Sequence, residues 1–129
     1  MKNYKKLFSL FLFLVAFDQT LKYFLNNLFC NKNLAWSIPV DAGIFYLAWI
    51  AIVGFFIYLF IKTKALNQKY LLVFIFSGAV SNLIDRIRFG CVVDYIDIKI
   101  WPVFNLADVY IIIGVMLLIT SVIKINRPT

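Results

Sequence analysis

Apolar residues run through this chain in four long blocks, and the polar residues that interrupt them are few and clustered. The blocks fall at about 7–25, 43–61, 70–87 and 105–123. Each meets or approaches the roughly 20 apolar residues a helix needs to cross a hydrocarbon core. The second, Gly43 to Ile61, carries no charge, whereas the first contains Asp18. The connections are short, so consecutive helices should lie antiparallel. The predicted fold is an all-α integral membrane protein: a four-transmembrane-helix bundle forming one domain over residues 1–129. Two loops on one membrane face, about 26–42 and 88–104, complete it.

The second of these loops breaks the helical pattern. Between Cys91 and Trp101, the residues Val92, Val93, Tyr95, Ile96, Ile98 and Ile100 are β-formers, and Pro102 follows. A strand is predicted there, a small extracytoplasmic β segment between helices three and four. Alternation would place Asp94 among Val92, Ile96, Ile98 and Ile100, and Asp97 beside Lys99 on a wetter face. Desolvation on the aliphatic face would raise the pKa of Asp94, as general acid/base work near neutral pH requires.

Composition excludes a soluble globule: the chain is 64% hydrophobic, 19% aromatic and 15% charged, with a mean hydropathy of +0.91. Charge placement then sets the orientation. Lys2, Lys5, Lys6, Lys62, Lys64, Lys69, Lys124 and Arg127 fall on one side with no acid among them. Lys22, Lys32, Arg86, Arg88 and Lys99 fall on the other, with all six aspartates. Both termini are predicted cytoplasmic. The net charge of +7 is therefore a topology signal, and no nucleic-acid partner is implied.

The Lys-rich start and the run from Leu7 to Phe17 mimic a signal peptide. No small-residue cleavage site follows, and Asp18, Gln19 and Lys22 interrupt the run, so the segment is expected to remain as helix one. Cys30 and Cys91 both fall on the oxidising side; spacing leaves a disulfide open, and two buried free thiols are the expectation. Phe29 is too bulky to precede a lipid-modified cysteine, so the chain itself is not expected to be a lipoprotein. With no His and two Cys, no metal site and no cofactor are expected.

A carboxylate within the bilayer costs roughly 2.5–3.5 kcal/mol even on insertion scales, so six gathered at one face suggest a site. Asp18 and Lys22 share a helical face, where a structural ion pair is favoured over a chemical role. Asn82, Asp85 and Arg86 share a face of helix three, as an interhelical clamp, a substrate contact or both. Asn105 and Asp108 have capping-box spacing. Yet Asp108 also lies at the bundle mouth near Asp94, and two adjacent carboxylates that share one proton are the machinery of an aspartic protease.

Three blocks carry a resemblance: Asp18-Gln19-x-x-Lys22; Asn82-x-x-Asp85-Arg86-x-x-x-Gly90-x-Val92-x-Asp94-Tyr95-Ile96; and Phe104-Asn105-x-Ala107-Asp108. In order and spacing they resemble lipoprotein signal peptidase (signal peptidase II) over nearly the whole chain. The resemblance implies a catalytic dyad of Asp94 and Asp108. Asn31, Asn82, Arg86 and Asn105 would hold substrate or organise the dyad, and Asp18 and Lys22 would form a supporting pair. It further implies a bacterial cytoplasmic-membrane enzyme with its active site on the extracytoplasmic side. Its partners would be membrane lipids, a prolipoprotein with a diacylglyceryl cysteine cut just before that residue, and globomycin-like inhibitors; a monomer is expected.

The chain departs from the family pattern in places. Asn31-Lys32-Asn33-Leu34-Ala35-Trp36 has Asn33 for a glycine, Ser81 replaces the glycine before Asn82, and only eight residues separate Lys22 from Asn31. Two other readings remain: a non-catalytic homologue that binds lipoprotein precursors, and a small ion or proton carrier using Asp18, Asp85 and Asp108. A liposome flux assay separates the carrier from the enzyme.

Overall fold

A computed structural model describes residues 2–25, 28–32, 39 and 41–125. Asn33 to Trp36 and Arg127 lie outside the described residues. The element order is α1 (Lys2–Phe24), β1 (Phe29–Asn31), α2 (Ala42–Lys62), α3 (Leu66–Phe89), β2 (Val92–Asp94) and α4 (Leu106–Ile125). All four helices are long and apolar enough to cross a membrane.

Two helices begin earlier than hydropathy alone suggests. α1 takes in Lys2, Lys5 and Lys6, whose long stems let the ammonium groups reach polar surroundings while the backbone stays helical. α3 begins at Leu66, so the expected solvated turn over Lys62 to Lys69 shrinks to a short link. Lys69 instead sits on α3, where its ammonium donates to Tyr4 Oη at 2.9 Å and lies over the rings of Tyr4 and Phe60. Local chemistry sets other ends. The Asp41 carboxylate accepts the N–H groups of Gly43 and Ile44 at the start of α2. Gly90 closes α3 in the left-handed region, at φ 70°, where a glycine is at ease.

α3 is the central element, packed most extensively against α4 and next against α1. Close approach explains two glycines. A Cβ on Gly78 would run into the carbonyl oxygen of Ala107 and lie 2.7 Å from Ile111. One on Gly114 would lie 2.7 Å from Ile75. α2 behaves differently, with no buried residue along its length. Near its ends it meets α3 through aromatic rings: Phe60 against Phe76, with centroids 6.4 Å apart, and Phe45 beneath the Arg86 guanidinium at 4.1 Å.

The expected strand from Cys91 to Trp101 proves much shorter. Only Val92–Asp94 forms a strand, pairing antiparallel with β1 in the register Phe29↔Asp94, Cys30↔Val93, Asn31↔Val92. Beyond it, one bridge joins Ile96 to Phe104, and Lys99 at φ 67° turns the chain between them. Ile98 and Ile100 are consequently exposed rather than aligned with Asp94 on an aliphatic face. Among the described residues, no strand pairs with Ile98 or Ile100, so their β propensity goes unused.

The expectation of two buried free thiols is also corrected: Cys30 and Cys91 form a disulfide, with Cα atoms 5.5 Å apart. β1 pairing brings Cys30 opposite Val93, which puts Cys91 diagonally across the ladder at bridging distance. Cys91 is buried, while Cys30 is exposed.

Two outcomes follow from this packing. Thiol alkylation under denaturing conditions should modify the oxidised protein only after reduction, as read by intact mass. Gly78→Val should destabilise the bundle by roughly 1–3 kcal/mol through overpacking, seen as a lower thermal midpoint in detergent.

Candidate active site

The polar interior is concentrated at the end of the bundle that carries the two strands. Lys22 of α1 is 5% exposed, and its ammonium lies 2.7 Å from Asp18 Oδ2 and 2.6 Å from Asp85 Oδ2. Both carboxylates are fully buried. An isolated ion there would be untenable, so the pairing is supported by neutral donors. Asp18 accepts from Ser81 Oγ at 2.6 Å, Tyr95 Oη at 2.8 Å and the Ala107 N–H at 3.2 Å. Asp85 accepts from Gln19 Nε2 at 2.9 Å and the Val93 N–H at 3.1 Å. Among the described residues, no buried side-chain nitrogen or oxygen lacks a partner.

Lys22 also donates to Asn82 Oδ1 at 3.3 Å, joining this cluster to a second one. Asn105, fully buried ahead of α4, is the centre of the second. Its Nδ2 group lies 2.9 Å from Asp94 Oδ1, 2.9 Å from Asn82 Oδ1 and 3.3 Å from the Val93 carbonyl. On the other side, Asn105 Oδ1 accepts the Asp108 N–H at 2.9 Å while Asp108 Oδ2 accepts the Asn105 N–H at 3.2 Å. That reciprocal pair is a capping box. The cap does not exhaust Asp108: its Oδ1 accepts from Asn82 Nδ2 at 2.8 Å. Asn31 of β1 donates to Asp94 Oδ2 at 3.3 Å.

Asp94 and Asp108 thus belong to one network, and both line a single cavity of about 1210 Å³. Its lining is largely apolar and includes Trp49, Ile52 and Phe56 of α2, Ile75 of α3 and Ile112 of α4. The polar lining groups cluster about the two acids: Asn31 donates to Asp94, Asn82 to Asp108, and Arg86 lies within charge range of both. An apolar pocket with a few convergent polar groups is the usual form of a binding site. Among the described residues, no three Cys or Asp side chains converge as a metal would require.

Burial raises the Asp94 pKa to about 6, reinforced by the negative charge of Asp108 and opposed by the Asn31 hydrogen bond, the Lys22 charge and the Asn105 hydrogen bond. Asp97 is the opposite case: hydrogen bonds from Lys99 hold it below the ordinary carboxylate range in an exposed loop. Burial and the Asp18 hydrogen bond raise the Tyr95 phenol, leaving it a neutral donor.

The residues singled out by sequence divide in an informative way. Asp94, Asp108, Asn31, Asn82, Arg86 and Asn105 come together around the cavity and its network. Asp18 and Lys22 lie behind them in the ion cluster. Asp85 turns from the Asn82–Arg86 group toward Lys22, because a shared helical face fixes direction and not partner. Gln19, Ser81 and Tyr95 carry more of the network than their neutral side chains advertised. Their signal was present: polar residues at the membrane-edge ends of apolar helices must find partners.

Comparison with known proteins adds a second line of observation. The family profile described as Signal peptidase (SPase) II matches residues 10–124. The lipoprotein signal peptidase of Halothermothrix orenii is 44% identical over 91 residues, covering 69% of this chain and 63% of that protein. That of Moorella thermoacetica is 33% identical over 131 residues, covering 83% and 85%. That of Thermodesulfovibrio yellowstonii is 31% identical over 147 residues, covering 96% and 98%. A solved bacterial membrane enzyme structure superposes with a TM-score of 0.82 at 29% identity, over 97% of this chain and 93% of that one.

The electrostatics can be checked directly. With aspartate carboxyl carbons labelled for NMR, Asp94 should titrate with a midpoint near 6, and Asp108→Asn should lower it by removing the neighbouring charge. Lys22→Met should destabilise the fold by roughly 3–5 kcal/mol, because two buried carboxylates lose their counter-ion; thermal unfolding in detergent measures it.

Proposed function

This chain belongs to the signal peptidase II family, and we propose that Asp94 and Asp108 are the catalytic dyad of an intramembrane aspartic endopeptidase. The substrate is a prolipoprotein bearing a diacylglyceryl cysteine, and the cut falls just before that cysteine. Family and four spanning helices together make this a bacterial inner-membrane protein. Its termini lie in the cytoplasm and the dyad on the outer side, an orientation supported by the acid-free Lys/Arg clusters. The observation that carries the reading is Asn105, whose side-chain amide donates to the Asp94 carboxylate and whose backbone N–H donates to that of Asp108, tying both into one network on the wall of a largely apolar cavity.

The chemistry follows from how each acid is held. Asp94, buried and beside another carboxyl, is the natural keeper of the shared proton. Asp108 meets amide donors at a helix N-terminus, where negative charge is favoured. The ionised member takes a proton from a water molecule, and the resulting hydroxide adds to the scissile carbonyl carbon as the neutral member protonates the carbonyl oxygen. Collapse of the tetrahedral intermediate then passes a proton to the departing amide nitrogen. Asn31, Asn82 and Arg86, clustered about the two acids, fix the extended segment; the apolar lining accommodates the signal helix and acyl chains. A globomycin-like cyclic peptide would compete for the same space.

An ion carrier fits less well. Asp18 and Asp85 are saturated by Lys22 and neutral donors, and the core beyond them is largely Leu, Ile and Val.

Asp94→Asn and Asp108→Asn should each abolish cleavage of a diacylglyceryl-modified preprotein while the variants remain inserted and folded; activity retained in either would refute the assignment. Asp97→Asn should cut at close to the parent rate. In a pH series, kcat/KM should fall as pH rises through about 6, because the free enzyme then loses the proton held on Asp94.

A further inference from the structure

We propose that Tyr95 is a positioning residue for the dyad, its phenol fixing the first turn of α4, and with it Asp108, relative to Asp94. The proposal rests on the reading of Asp94 and Asp108 as the catalytic pair.

Tyr95 follows Asp94 directly, and its backbone N–H is held by the Phe104 carbonyl at 3.0 Å. Its side chain reaches two other elements at once. The phenol donates to Asp18 Oδ1 of α1 at 2.8 Å and accepts the Leu106 N–H of α4 at 3.1 Å. The first N–H groups of any helix lack intrahelical acceptors. In α4, three successive ones are met by side chains from three different places: Leu106 by Tyr95, Ala107 by Asp18, and Asp108 by Asn105. Only Tyr95 among them also carries Asp94 on the adjacent residue. A movement of its phenol would therefore alter the spacing of the two carboxyls, without touching substrate.

A misplacement of about 1 Å at a reacting centre can cost on the order of 100-fold in rate. Tyr95→Phe keeps the ring and removes the hydroxyl, so one acceptor for Leu106 and one donor to Asp18 vanish together. Assayed as the full chain in lipid bicelles on a diacylglyceryl-modified preprotein, this variant should lose roughly 10- to 100-fold in kcat with KM within about threefold. The carboxyl midpoint of Asp94 should also fall below the parent's. The charged groups facing Asp94 include Asp108, Lys22 and Arg86, and a displaced Asp108 would raise it less.

Parent kcat in Tyr95→Phe overturns the proposal. So does a loss of kcat accompanied only by a lower thermal midpoint, with the Asp94 titration unmoved, since that is mere destabilisation. A measurement on the unmutated protein guards against a variant that fails to fold. Amide exchange at Leu106 and Ala107 should be slow, and unprotected amides there would also overturn it. The dyad itself is judged separately by Asp94→Asn and Asp108→Asn, so failure at Tyr95 leaves that assignment standing.

Discussion

A single ammonium group, that of Lys22, sits between Asp18 and Asp85 inside the bilayer-spanning bundle, and the site is built outward from it. One lysine cannot neutralise two carboxylates. The remaining charge is spread over hydrogen bonds from Ser81, Tyr95, Gln19 and two backbone N–H groups, which draw α1, α3, β2 and the start of α4 together. The same contacts that make the charges tolerable also fix where four chain segments meet. Breaking such a pair is far costlier than never having built it, so the arrangement defines one geometry for this end of the molecule.

The two sets of acids contrast in a way that divides labour. Asp18 and Asp85 are fully buried and surrounded by donors, leaving them nothing further to bind. Asp94 and Asp108 face a cavity, and their donors are neutral amides and one backbone N–H. Amides can serve a carboxyl in either protonation state by presenting N–H or C=O, whereas an ammonium contact would lock it ionised. Lys22 stays one step away, in contact with Asn82, which on the proposed assignment would leave the two acids free to exchange a proton.

Hydropathy made the four helices legible, because apolar length is nearly all that spanning requires. The motif aspartates and asparagines were legible too, since carboxylates and amides in an apolar chain stand out. What eluded the sequence depended on contacts between distant residues. Ile98 and Ile100 read as strand, but a strand needs a neighbour, and β1 reaches only Asp94. The Cys30–Cys91 bond depends on that same register, set by residues 61 apart in the chain. Asp85 has the spacing to join Asn82 and Arg86, yet the Lys22 charge on another helix claims it. Tyr95 gave the faintest signal of all, a hydroxyl on an aromatic ring whose importance appears only when two other helices arrive beside it.

The exposure of α2 along its length bears on how the cavity is bounded. This helix is pinned to α3 by rings near either end, while its middle borders the cavity and holds no buried side chain. An apolar flank of this kind is solvated by lipid tails as well as by protein. If the proposed substrate assignment holds, a leader helix would approach the cavity from this flank, within the plane of the bilayer. Encounter would then be a search in two dimensions.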